Sequence, residues 1–264
     1  MKHILVPIGS TENAESTLQY AIDFATEFNA KVFVFRAYSA QKKAGTMVNI
    51  DKIIQRETKL YLRTMVQSVD RKEVEVQLIS AKGNVITSIE AVHKELGIDL
   101  IIMGPKSNSI KEEVFLGSTS GSIVKKTEIP ILIAPKNSTF SAFKNILTVF
   151  NSGVIKEEKA LEPLQKIMNK YQLKSNLLLV KTPKHIESDL VLDAGLESLK
   201  AKLTITENAT AYQGVLEHFQ SHNPDLLCVF RRKRGFFKKL WEKNTVLKKE
   251  FYCNIPLLIL SGKE

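Results

Sequence analysis

The sequence predicts an α/β fold in which two tandem five-stranded parallel sheets carry helices on both faces. Three observations predict it. Short apolar runs alternate with segments of helical periodicity, the alternation starts again after about residue 143, and residues 99–134 align with residues 225–260 without a gap. Strands that alternate with helices need crossover connections, which make neighbouring strands parallel, and a constant offset of 126 residues indicates an internal duplication. We therefore expect two domains, residues 1–138 and 143–264.

The first half contains five apolar runs rich in Val and Ile, which is typical of strands buried on both faces. These predicted strands cover residues 3–8, 31–37, 73–79, 99–103 and 130–134. Apolar residues recur every three or four positions in the predicted helices, at residues 14–28, 51–66, 84–96 and about 118–126. Asn84 is a suitable N-cap for the third helix.

The second half repeats this order. Its predicted strands cover residues 145–149, 175–181, 203–205, 225–229 and 256–260. Helical periodicity covers residues 157–171 and 213–221, and Pro163 either kinks the first of these helices or lies in its true first turn. Seven aligned positions are identical, among them Asp99 with Asp225.

Composition and charge describe a globular chain with one basic segment. Of the 264 residues, 44% are apolar and 25% are charged, and the apolar runs are far too short to span a membrane. The formal net charge is +10, and residues 231–249 alone hold nine basic residues against one acid. This segment also contains aromatic residues, so it either binds an anionic partner or forms a solvated face above packed rings. We favour the second interpretation and expect no nucleic-acid partner.

The beginning of the sequence and its cysteines predict the compartment. The first residues show neither a long apolar stretch nor a small-residue cleavage site, so we expect no secretion signal. Cys228 and Cys253 are the only cysteines, and two isolated cysteines need no disulfide. We therefore expect a cytoplasmic protein.

The loop after the fourth predicted strand carries the chemistry. It reads Gly104-Pro105-Lys106-Ser107, continues for nine residues, and ends in Gly117-Ser118-Thr119 at the start of a predicted helix. Ligands of open parallel sheets bind beyond the carboxyl ends of the strands, and N–H groups and hydroxyls at a helix start favour an anion. A plain turn followed by a serine N-cap explains the same residues, so the loop alone does not decide between the two.

The first half resembles the universal stress protein family along nearly its whole length. The resemblance rests on ILVPI at the start, Gly83 before the third helix, DLIIMG, Gly117-Ser118 and the closing IPILIAP. The nucleotide-binding pattern of the family is Gly, two residues, Gly, nine residues, Gly and then Ser or Thr. This chain has Gly104, Ser107, Gly117 and Ser118 at those four places.

The resemblance implies both a fold and a ligand. The fold is the adenine nucleotide α-hydrolase-like type with strand order 3-2-1-4-5. The ligand is ATP or AMP, with or without Mg²⁺, with its phosphates on the Gly104–Thr119 loop. Adenine is expected near the first two strands, where Ala37 offers a backbone contact.

Two positions depart from the family pattern. Ser107 replaces the second glycine, and a left-handed backbone there would cost a non-glycine residue roughly 1–2 kcal/mol. Gly9 stands where the first strand of the family usually ends in an aspartate that contacts the nucleoside. We therefore expect nucleotide binding to be weaker than in members with the full pattern.

The second half has lost the pattern. The offset of 126 places Phe230, Lys233, Lys243 and Asn244 where the first half has Gly104, Ser107, Gly117 and Ser118. Bulky and charged side chains then occupy the places where the backbone must approach phosphate, so we interpret this half as a partner domain. Because the last strand of the family often pairs subunits, the resemblance implies that residues 130–134 and 256–260 meet antiparallel in an intramolecular pseudo-dimer. Whether whole chains pair again into a homodimer is open.

Three functions are open from the sequence. The first is a nucleotide-responsive stress protein that acts as a regulator or adaptor. The second is a nucleotide-free interaction or scaffold protein that uses the basic aromatic segment 231–249 to bind a protein partner. The third is a slow ATPase, although we find no nucleophile–base arrangement and no catalytic residues. His218 and His222 have helical spacing but no third ligand, so we expect no metal site.

Overall fold

A computed structural model of the chain describes residues 1–10, 12–39, 50–106, 114–155, 157–199, 201–231, 246–247 and 253–261. Within these residues, ten strands form one continuous sheet and two short strands form a separate ribbon. None of the helices in the described part of the chain combines the length and apolar character needed to cross a membrane.

The first half follows the predicted order of elements. Its strands are β1 (His3–Pro7), β2 (Lys31–Tyr38), β3 (Val76–Lys82), β4 (Leu100–Met103), β5 (Val114–Leu116) and β6 (Ile131–Ile133). Its helices are α1 (Ala14–Phe28), α2 (Ile50–Gln67), α3 (Val85–Leu96) and α4 (Ser118–Lys126). The predicted N-cap of α3 is confirmed, since Asn84 Oδ1 accepts a hydrogen bond from the Ile86 N–H at 2.8 Å.

Two details of the first half differ from the sequence prediction. The predicted start of the third strand at residue 73 is wrong, because β3 pairs with β2 in a register that matches Val76 with Val32, near the beginning of β2. Residues before Glu75 have no partner strand, and Lys72 has a left-handed backbone (φ 50°) that turns the chain there. The short strand β5 was not predicted at all.

The described residues of the second half form six strands and three α-helices. The strands are β7 (Ile146–Phe150), β8 (Ser175–Lys181), β9 (Lys202–Glu207), β10 (Leu226–Arg231), β11 (Val246–Leu247) and β12 (Leu257–Ser261). The helices are α5 (Glu162–Tyr171), α6 (Ala194–Ser198) and α7 (Ala211–His222). Pro163 lies in the first turn of α5, where its missing N–H costs no helical hydrogen bond, so of the two interpretations the first-turn one is confirmed.

The predicted strand order 3-2-1-4-5 is confirmed in both halves. The sheet runs β3-β2-β1-β4-β6-β12-β10-β7-β8-β9, so each half contributes five parallel strands. β6 pairs antiparallel with β12, matching Leu132 with Leu258, as the resemblance implied. The two five-stranded units are therefore joined into a single ten-stranded sheet. This pairing removes two open strand edges that would otherwise invite association with other chains.

Asp99 and Asp225 occupy equivalent positions in the two halves, and both make the same structural hydrogen bonds. Asp99 Oδ2 accepts hydrogen bonds from the backbone N–H groups of Lys2 (2.6 Å) and His3 (3.0 Å) at the start of β1. Asp225 accepts the equivalent bonds from residues 144 (2.7 Å) and 145 (3.0 Å) at the start of β7. Burial alone would raise the pKa of Asp99, but the two N–H donors, together with the positive charges of Lys166 and the amino terminus, lower the pKa. Each aspartate thus fixes the alignment of the first strand with the fourth strand of its half.

The core has two layers, one on each face of the sheet. One layer packs α1, α2 and α5 against the sheet, and the other packs α3, α4 and α7. Leu132 and Leu258 belong to the first layer and are completely buried. Both cysteines are buried free thiols, as expected.

We predict that Leu132 and Leu258 stabilise the junction as a coupled pair. Each Leu→Ala substitution removes a fully buried side chain and should lower the free energy of unfolding by about 2–5 kcal/mol. Because the two residues are cross-strand neighbours, the double variant should depart from additivity by at least about 0.5 kcal/mol. Urea unfolding of the two single variants and the double variant measures this.

The matched control is Leu216→Ala on α7, where the leucine is 52% exposed and its truncation should change stability by less than about 0.5 kcal/mol. Strict additivity of the Leu132 and Leu258 substitutions would contradict direct packing across the junction.

Candidate functional site

Gly104 leaves the carboxyl end of β4 directly against α1. A β-carbon at this position would overlap Thr17 Oγ1 and would lie 3.6 Å from Thr17 Cβ. Thr17 is only 7% exposed, so its side chain cannot simply turn into solvent. The glycine that the sequence singled out for ligand access is therefore also required for packing.

The two described ends of the loop lie side by side. The Lys106 N–H donates a hydrogen bond to the Phe115 carbonyl at 3.0 Å, which joins the chain leaving β4 to strand β5. The aliphatic part of Lys106 lies beside Gly117, and a β-carbon on Gly117 would be 3.2 Å from Lys106 Cδ. Ser107 lies outside the described residues, so its contribution stays a prediction.

Helix α4 begins immediately after Gly117. The backbone of Gly117 is extended (φ −69°, ψ 173°), and a glycine N-cap has no side chain to accept hydrogen bonds from the first amides of the helix. This differs from α3, whose first turn is capped by Asn84. Ser118 and Thr119 are exposed. The start of α4 therefore combines N–H groups, two hydroxyls and the positive end of the helix dipole, all of which favour an anion.

A shallow cleft of about 200 Å³ runs along α4 from its first to its last turn, beside the start of α3. Its lining consists of Val85 and Ile86 with the polar residues Asn84, Ser118, Thr119, Ser122 and Lys126. Pockets for drug-sized ligands have volumes of roughly 300–1,000 Å³, so this cleft suits a phosphate group better than a whole nucleotide. A larger cleft of about 320 Å³ beside α1 is lined by Glu12 and Glu15, whose carboxylates disfavour an anion.

Arg36 of β2 reaches the chain that follows β1, where the family pattern has a carboxylate. The Gly9 carbonyl accepts a hydrogen bond from Tyr61 Oη at 2.8 Å, and Arg36 Nη2 donates to Ser10 Oγ at 2.9 Å. The Arg36 guanidinium lies 4.0 Å from the centre of the Tyr61 ring, a cation–π contact. Arg36 Nη1 is buried and has no hydrogen-bond partner among the described residues.

Ala37 lies on β2 next to Arg36 and pairs with Ala81 of β3. β1, β2 and β4 are parallel neighbours, so their carboxyl ends lie side by side. Gly9, Ala37 and Gly104 therefore lie along the same end of the strands, which is the edge meant here. The sequence did not identify Thr17, Arg36 or Tyr61, because each reaches this edge from a different element and belongs to no local motif. An arginine directly after the apolar run of the second predicted strand was the one available signal.

Asn13 is a further polar residue near this edge. It forms the N-cap of α1 and is 1% exposed, yet its side chain makes no capping hydrogen bond. Neither its amide oxygen nor its amide nitrogen has a partner among the described residues. Asn13 precedes Thr17 by four residues, so the two lie on the same face of α1.

The second half is built differently at the equivalent edge. Phe230, which corresponds to Gly104, is 2% exposed and fills part of the core. The loop after β7 is covered by its own chain, since the Gly153 N–H donates to the Asp189 carbonyl at 2.8 Å and the Asp193 N–H donates to the Gly153 carbonyl at 3.0 Å. A β-carbon on Gly153 would overlap the Val191 carbonyl oxygen. Lys233, Lys243 and Asn244 lie outside the described residues.

These features define the class of the molecule, a duplicated α/β protein with an open parallel sheet and a glycine-containing loop at the strand ends of its first half. The family model described as the universal stress protein family matches residues 1–135. The chain therefore belongs to the universal stress protein family.

Similar proteins support the same assignment. The chain is 21% identical over 140 residues to a universal stress protein of Methanocaldococcus jannaschii, a match that covers 51% of this chain and 82% of that protein. A universal stress protein from Archaeoglobus fulgidus matches with a TM-score of 0.70 and 16% identity, covering 98% of this chain and 96% of that chain. A functionally unknown protein from Pseudomonas aeruginosa matches with a TM-score of 0.60 and 12% identity, covering 99% and 93%. The fold of both halves together thus occurs in other proteins.

We predict that Gly104→Ala destabilises the protein through Thr17. The added methyl group would overlap Thr17 Oγ1, and overpacking of this kind costs about 1–3 kcal/mol. In a Thr17→Ala background the overlapping oxygen is absent, so the same substitution should cost at least about 1 kcal/mol less. Urea unfolding of the wild type, both single variants and the double variant gives the comparison. An equal cost of Gly104→Ala in both backgrounds would show that the two residues are not in contact.

Proposed function

We propose that this protein is a cytoplasmic stress-response protein that binds an adenine nucleotide, ATP or AMP, in its N-terminal domain. In this proposal, residues 1–138 form the binding domain and residues 143–264 form a degenerate partner domain. The observation that carries the proposal is the start of α4, where Gly117 leaves the first amides without a side-chain cap beside Ser118 and Thr119. Membership of the universal stress protein family supports it.

The proposed site assigns a role to each part of the edge. The phosphates would bind at Gly117, Ser118 and Thr119, where backbone amides and hydroxyls can donate to anionic oxygens. Gly104 would let the ligand approach the backbone at the end of β4. The nucleoside would extend toward Gly9 and Ala37 at the ends of β1 and β2. Ser107 would complete the loop.

Electrostatics favour an anion at this edge even without the aspartate of the family pattern. Lys106 lies beside the start of α4 and Arg36 lies near the carboxyl end of β2, and cations along this end of the sheet raise the local concentration of a polyanion such as ATP. They also reduce the preference for an uncharged nucleoside, which the missing carboxylate would have bound through ribose hydroxyls.

A role for the basic segment 231–249 as an interaction surface receives no support from its first residue. The Arg231 guanidinium is used within the molecule, since Nη1 donates to the Val124 carbonyl at 2.6 Å. The side chains of the remaining residues of the segment lie outside the described part of the chain. We therefore retain nucleotide binding as the proposed function.

We predict that Gly117→Val weakens nucleotide binding without unfolding the protein. The extended backbone at position 117 is accessible to any residue, and the nearest obstacle is the flexible stem of Lys106. The branched side chain would block the approach of phosphate to the amides of α4. Calorimetric titration with ATP and AMP should show affinity at least about tenfold weaker than in the wild type, a loss of about 1.4 kcal/mol, with a thermal midpoint close to the wild-type value.

The matched control is Lys243→Val at the equivalent position of the second half, which should leave nucleotide affinity unchanged. Native mass spectrometry of the freshly purified wild type should also show a bound adenine nucleotide. The proposal fails if the wild type binds neither ATP nor AMP, or if Gly117→Val binds them as tightly as the wild type does.

A further inference from the structure

Arg231 connects the second half to the helix of the proposed phosphate site. It lies at the carboxyl end of β10, and its Nη1 donates a hydrogen bond to the Val124 carbonyl at 2.6 Å in a partly buried contact. Val124 belongs to the last turn of α4, where backbone carbonyls run out of N–H partners within the helix. A residue 107 positions away in sequence therefore caps the carboxyl end of α4.

The antiparallel junction explains how this contact arises. Because β6 and β12 run in opposite directions, the carboxyl ends of the second-half strands lie at the edge where the first-half strands begin. Helix α4 ends at that edge, just before β6. Position 231 corresponds to Pro105 under the offset of 126, so the contact comes from the degenerate copy of the loop itself.

A second contact holds the amino-terminal side of the same helix. β5 pairs antiparallel with β11, matching Leu116 with Val246 and Val114 with Leu247. Leu116 immediately precedes Gly117, and both Phe115 and Leu116 are at most 3% exposed. The second half thus contacts the strand that leads into α4 and the last turn of α4, on either side of the proposed phosphate site.

We propose that the second half holds the proposed phosphate site in its binding conformation, with Arg231 as the positioning residue that acts through α4. The effect on affinity rests on the nucleotide-binding function proposed above, whereas the effect on α4 does not. The partner domain would then be a part of the first domain's binding site rather than a passive remnant of the duplication.

Two physical effects connect Arg231 to an anion at the start of α4. The guanidinium satisfies the Val124 carbonyl, and without it the last turn of the helix would lose a charge-assisted hydrogen bond. A cation at the carboxyl end also offsets the negative end of the helix dipole. Since α4 has nine residues, it is only about 14 Å long, so a disturbance of its last turn reaches the first.

The charge of Arg231 persists in this environment. Burial lowers the pKa of its guanidinium, while the nearby carboxylate of Glu128 raises it. Because the ordinary pKa of arginine lies above 12, the side chain remains charged at neutral pH. The contact with the Val124 carbonyl is therefore a charge-assisted hydrogen bond at neutral pH.

The test compares three variants of the full chain, Arg231→Gln, Arg231→Lys and Lys125→Gln. Lys125→Gln removes one positive charge from the same last turn without removing the Arg231–Val124 hydrogen bond. Amide hydrogen exchange is measured without nucleotide, and ATP affinity is measured by calorimetric titration.

We predict that Arg231→Gln accelerates amide exchange in α4 and β5 about tenfold or more, which corresponds to the loss of a hydrogen bond to a charged group. Amides of β1 and β2 should exchange as in the wild type. The dissociation constant for ATP should rise about threefold to tenfold. Arg231→Lys should restore part of both effects, and Lys125→Gln should change the dissociation constant by less than about twofold.

The exchange rates in α4 and the ATP affinity of Arg231→Gln together test the positioning role of Arg231. Unchanged exchange in α4 of Arg231→Gln overturns it, and so does accelerated exchange with unchanged ATP affinity. If Arg231→Gln does not fold, Arg231→Lys makes the same comparison, and wild-type behaviour of that variant in both measurements counts against a positioning role. A wild type that binds no nucleotide overturns the proposed function, while the exchange data still determine whether Arg231 holds α4.

Discussion

The antiparallel pairing of β6 with β12 is the interaction on which the rest of the structure depends. It joins two parallel five-stranded units into one sheet and places Leu132 against Leu258 at the junction. Without it, each half would expose a short apolar strand at an open edge, which is a site for unwanted association. The direction of the pairing also sets which ends of the two halves meet, and so which loops can contact which helices.

The duplication preserved architecture and changed chemistry. Asp99 and Asp225 still make the same pair of backbone hydrogen bonds, because strand alignment is needed in both halves. By contrast, Gly104 and Phe230 occupy equivalent places and have opposite consequences. Glycine leaves room beside Thr17, whereas phenylalanine fills the core.

The first half also differs in chemistry from the family pattern, because it has Gly9 in place of the expected aspartate and the cation Arg36 nearby. Gly9 contributes only its carbonyl, which Tyr61 occupies, and the charge at this edge comes from Arg36. A carboxylate would accept hydrogen bonds from ribose hydroxyls, while a guanidinium attracts anionic groups. The first half therefore presents a cation near its strand ends, where the family pattern has a carboxylate.

The sequence by itself determined the elements and the duplication. Helix α4 was predicted with its observed bounds, and the cap at Asn84 was predicted correctly, because hydrophobic period and capping chemistry are local properties of the chain. The strand order and the antiparallel meeting of the two last strands came from the resemblance to the family. Only the tertiary structure decided that β5 pairs with β11 and that Arg231 reaches Val124. These contacts join residues more than 100 positions apart, and their strands are too short, or their side chains too isolated, to leave a periodic signal in the sequence.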